Sequence, residues 1–68
     1  MPNTKTTRSA VRLRLKRIIA NLEKSLRILA EADLIMDGQS ELWVKACPPF
    51  LIQLTGVIDF AKAIYKEL

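Results

Sequence analysis

PPFLIQLTGVIDFAKAIYKEL, residues 48–68, is the stretch on which the fold turns. Phe50, Leu54, Val57, Ala61, Ile64 and Leu68 step by four, three, four, three and four, the spacing of a heptad seam on a helix. Ile52, Gly56, Phe60 and Ala63 make a second apolar strip away from that seam, and Thr55, Asp59, Lys62 and Lys66 remain as a narrow polar face. A helix with two apolar faces needs two partners, one from its own chain and one from outside it. Proline fits the first turn of a helix, where its missing amide donor is not needed, so Pro48 and Pro49 are read as opening this element.

Upstream, Val11, Leu15, Ile18, Ile19, Leu22, Leu26 and Leu29 recur at helical spacing behind a Thr7 or Ser9 cap and predict a long amphipathic helix. Arg14, Arg17, Asn21 and Lys24 project from its other side, with Lys16 and Arg27 beside them; Arg14, Arg17, Asn21, Lys24 and Arg27 form a candidate binding face. Residues 1–8 lack an apolar anchor and are expected to form a disordered basic tail ahead of a single domain at 9–68. Asp33 would interrupt the apolar stripe and Asp37-Gly38 signals a turn, so the helix should fade between Glu31 and Asp37. Ser40 then caps a short connecting helix through Leu42, Trp43 and Val44 that Pro48 and Pro49 end.

The fold class that results is all-α: an antiparallel helical hairpin with a short connecting helix, assembling into a dimeric four-helix bundle. Size argues for assembly. A chain of 68 residues buries only about 60% of its unfolded surface. One cysteine and no histidine supply neither an internal disulfide nor a Cys/His zinc cage, so no metal or cofactor is expected. Ile52, Gly56, Phe60 and Ala63 are the expected oligomer or partner interface, joined by Trp43, which either plugs the end of the hairpin or anchors a partner. In length and layout alone the plan resembles small helical-hairpin dimers encoded by plasmids and the small helical co-chaperones of type III secretion. That likeness brings no site residues with it.

Charge is polarised. Residues 1–30 carry eight Lys/Arg against Glu23, and residues 31–68 carry three Lys against six acids. The first 22 residues contain no acid, as in a mitochondrial presequence, but they run into a helix that the core requires. The lone Cys47 points to a reducing, cytoplasmic setting. The longest uncharged stretch, residues 46–58, is shorter than the roughly 20 residues of a membrane span, so no transmembrane segment is expected.

The cationic face suits phosphates or an acidic protein surface, although no helix-turn-helix pattern or interleaved aromatics accompany it. The helix has the make-up of a membrane-surface helix as well, yet its leucines have a matching seam within the chain. Cys47 next to Pro48 would stand at a helix N-terminus, where thiol pKa falls. Glu31, Asp33, Asp37 and Glu41 crowd the turn without the spacing of a calcium loop. With no histidine, no phosphate loop and no carboxylate pair facing a cavity, the chain reads as a non-enzymatic interaction protein: an inhibitor, adaptor or co-chaperone that pairs with itself and with another protein. The alternative is a small basic dimer that binds DNA or RNA.

Overall fold

In the computed structural model, which describes residues 4–68 and side chains from Thr7 onward, the chain is two helices packed against each other. Helix α1 runs Thr4–Met36 and helix α2 runs Glu41–Glu67. They form an antiparallel hairpin 56 Å long and 16 Å across. Helix α1 starts at Thr4, ahead of the expected Thr7 or Ser9 cap, so residues 4–8 of the expected tail are helical; residues 1–3 lie outside the described part.

The reversal follows the turn signal. Asp37 adopts φ 48° and Gly38 φ 70°, the left-handed conformation that Gly accepts freely and Asp tolerates. The Asp37 amide donates to the Asp33 carbonyl at 3.0 Å, closing the last turn of α1, and the Gln39 amide donates to the Met36 carbonyl at 3.0 Å. Ser40, in extended conformation, caps α2: its hydroxyl oxygen accepts from the Trp43 amide at 3.2 Å.

One expectation is overturned here. There is no short connecting helix, because α2 passes unbroken through Pro48 and Pro49. Two interior prolines remove the amide donors that would serve the carbonyls of Val44 and Lys45, and an interior proline costs about 3 kcal/mol. Val44, Lys45, Pro48 and Pro49 are all exposed, which leaves those carbonyls open to water. The packing stripe explains why the helix persists. Trp43 and Cys47 before the prolines are in phase with Leu54 and Ile58 after them, and all four turn toward α1. A break would have put one pair out of register with the partner helix.

The seam itself is turned from the expected one. Helix α2 buries Ile58 and Ala61 and half-buries Leu54, Tyr65 and Leu68, while Phe50, Val57 and Ile64 stay exposed. That is a rotation of about 40° around the α2 axis at 100° per residue. Helix α1 contributes Leu15, Ile19, Leu22, Leu26 and the buried Leu29; Val11 and Ile18 stay outside. The apolar arc of α2 is wider than one helix can cover, so polar fasteners at its edge decide which part is used. Lys62 Nζ meets Glu23 Oε2 at 3.5 Å, the Arg12 guanidinium stacks 4.6 Å from the Tyr65 ring centre, and the Trp43 indole reaches Asp33.

Candidate functional site

In an antiparallel pair of right-handed helices, residues displaced from the seam in the same rotational sense lie on the same side of the hairpin. Glu23 and Lys62 fix one side as polar. Residues displaced the other way form the opposite side: Val11, Ile18, Ser25, Ile28 and Ile35 from α1 with Arg14 and Asn21 among them, and Phe50, Val57, Phe60 and Ile64 from α2 with Gln53 among them. Every one of them is exposed, Phe60 at 69% and Ile35 at 82%. Leu29, Ile58 and Ala61 are the buried apolar residues among those described. Most of the apolar surface of this chain therefore faces out.

The expected interface strip divides on this geometry. Phe60 lies at the edge of the apolar side. Ile52, Gly56 and Ala63 are exposed on the back of α2, turned away from α1. Trp43 is half-buried at the turn end, and its indole N–H donates to Asp33 Oδ1 at 2.8 Å. Space around Gly56 is open, with nothing within 4 Å of the position a β-carbon would take.

Arg14, Arg17, Asn21, Lys24 and Arg27 are all exposed. They spread over an arc of about 140° on the helical wheel, from Arg14 and Asn21, which fall between Ser25 and Ile28 within the apolar side, to Arg27 at the other limit. Among the described residues the ion pairs are Lys45 with Glu41 and Lys62 with Glu23. Glu23 thus bridges the two helices, and among the described residues Arg14, Arg17, Lys24 and Arg27 have no acidic partner. Arg14 donates to the Ala10 carbonyl at 3.1 Å, one turn back on its own helix.

Near the turn, Leu29, Ala30, Asp33, Leu34, Cys47 and Leu51 line an open, mostly apolar pocket of about 320 Å³. Cys47 does not stand at a helix N-terminus, since α2 begins at Glu41. Its thiol is pushed above the ordinary range by desolvation first, then by the charge of Asp33 and a hydrogen bond to it. This environment keeps the sulfur protonated, contrary to the activated thiol that Cys-Pro suggests. At the other end of the hairpin, Tyr65 is drawn below its usual pKa by its hydrogen bond with Arg12 and that residue's charge. Among the described residues no three Cys, Asp or Glu side chains come together as a metal-binding group.

Helix α2 is also long and apolar enough, by length and composition, to cross a membrane. Counting only the uncharged stretch missed this, because Lys45 and Asp59 are the sole charges between Leu42 and Ala61. No family model, curated protein or solved structure matches the chain.

Proposed function

We propose that this chain is a small non-enzymatic helical protein that acts by protein–protein association, as a dimeric four-helix bundle that occupies a surface on a target in the manner of an inhibitor, adaptor or co-chaperone. The supporting observation is the exposed side carrying Val11, Ile18, Ile28 and Ile35 together with Phe50, Val57, Phe60 and Ile64. A monomer that leaves this many large apolar side chains in water while burying so few is short of core. The lone cysteine agrees with a reducing, cytoplasmic setting. Sedimentation of the purified chain, and capture of proteins from lysate at two salt concentrations, test the reading: a salt-tolerant assembly is the expected result. A monomer that captures nothing and instead partitions into lipid vesicles would favour a membrane role for α2.

A second reading rests on the unpaired cations of α1. Doubled in a dimer, Arg14, Arg17 and Lys24 offer six positive charges to phosphates, a sequence-independent affinity that falls with salt. Changing all three to Gln should then lower the salt slope by about five, at 0.9 per phosphate contact. No binding of nucleic acid by the unaltered chain at low salt would remove this reading.

A further inference from the structure

The exposed apolar side carries a pattern of its own. On α1, Val11 and Ile35 stand twelve residues either side of Glu23, Ile18 and Ile28 stand five, and Asn21 and Ser25 stand two. On α2, Phe50 and Ile64 stand seven residues either side of Val57. These pairs match apolar with apolar and polar with polar, while Arg14 and Ala32, nine residues either side of Glu23 in the middle of the same strip of α1, do not match. The two midpoints also lie within a helical turn of one height. Arg12 meets Tyr65 at one end of the hairpin and Asp33 meets Trp43 at the other, which places Glu23 level with Val57 to within one helical turn. A twofold axis crossing the middle of the hairpin accounts for the matched pairs and the near-equal heights, neither of which a foreign helix would require.

Charge points the same way. The turn half, residues 23–56, carries five acids and three bases; the remaining residues, 1–22 and 57–68, carry eight bases and two acids. Laying a second hairpin turn over turn sets basic end on basic end. Laying it turn over termini sets each basic end against an acidic one.

We infer that a second copy of this chain covers the apolar side in the opposite direction, so that α1 packs on α1 of the partner, α2 on α2, and Val57 meets its own counterpart at the twofold axis. The inference rests on the proposed association and adds its occupant and orientation. In this arrangement Ile18 packs against the second Ile28, Phe50 against the second Ile64, and Asn21 lies beside the second Ser25. That polar pair penalises slipped registers, and Arg14, on the same covered side, falls opposite the second Ala32. The covered side, 56 by 16 Å, has a footprint of ~900 Å², in the range of about 800 Å² per partner that stable complexes bury.

The test is disulfide trapping in the full chain with Cys47→Ser. Val57→Cys should give a covalent dimer rapidly on mild oxidation, with helicity retained. In the other stacking α1 would lie on α2, so an equimolar mixture of Asn21→Cys and Val57→Cys chains would give the mixed disulfide in preference to the Val57 one. That result, with sedimentation still showing a dimer, would overturn the orientation and leave the association reading intact. A monomer at micromolar concentration would overturn both, and Phe60→Glu should convert a true dimer to monomer without loss of the α2 cap.

Discussion

The Trp43 indole and the Asp33 carboxylate, ten residues apart in sequence, are joined across the turn by a hydrogen bond of 2.8 Å. The bond ties the last turn of α1 to the first turn of α2. It also gives Asp33, which occupies a seam position where an aliphatic residue is ordinary, a reason to be there. Asp33 keeps its hydration there, because it is exposed, and it accepts from the indole N–H.

Removing that bond should loosen the turn end. Trp43→Phe keeps most of the ring and deletes the donor, and we expect a loss of about 1 kcal/mol, below the usual range for a hydrogen bond to a charged group because the pair is exposed. Asp33→Ala with Trp43→Phe completes a double-mutant cycle by thermal or urea unfolding. Simple additivity of the two losses would show that the contact contributes nothing.

The Cys47 thiol should be slow to react. Desolvation and Asp33 raise its pKa, so its alkylation by iodoacetamide should rise with pH later than that of a free thiol, and Asp33→Asn should move the profile back toward lower pH. Because the folded pKa is raised above the unfolded one, the thiol's contribution to stability is complete below the unfolded pKa and is lost as pH climbs through the folded one. The thiol's part of the stability should therefore fall on the alkaline side, against the opposite slope contributed by Tyr65, and should be absent in Cys47→Ser.

The turned seam of α2 separates two residues of similar chemistry. Ile58 is 4% exposed and Ile52 is 71% exposed on the back of the helix. Ile58→Ala should lower stability by about 2–4 kcal/mol, and Leu22→Ala by a similar amount. Ile52→Ala should change stability by less than about 0.5 kcal/mol and leave the oligomeric state alone. Loss of the dimer in Ile52→Ala would return the interface to the back of α2.

Much of the hairpin was legible in the residues. The repeat from Leu15 to Leu29, the left-handed pair Asp37-Gly38 and the Ser40 cap are local signals, each set by a few side chains and the backbone beside them. Pro48-Pro49 misled because proline rules are local too, and here a packing stripe in phase on both sides of the pair outweighs them. The rotation of α2 was hidden for a different reason. Six residues at perfect heptad spacing describe a good seam, but a wide apolar arc contains several, and choosing among them takes long-range contacts such as Glu23 with Lys62 that periodicity does not encode. The apolar side and its symmetry become visible only when the two helices are set antiparallel and their flanks are compared.

The proline pair divides α2 into unequal lengths of cooperative helix. Elongation of a helix depends on each new amide closing a rung on the carbonyl four residues behind it, and two successive rungs are absent here. Residues 41–47 thus owe their shape to the Ser40 cap and to Asp33 more than to the helix that follows them. In free-energy terms the turn end can open by itself while Leu54, Ile58 and Ala61 stay packed. The hairpin therefore combines a rigid shaft with an end that yields first.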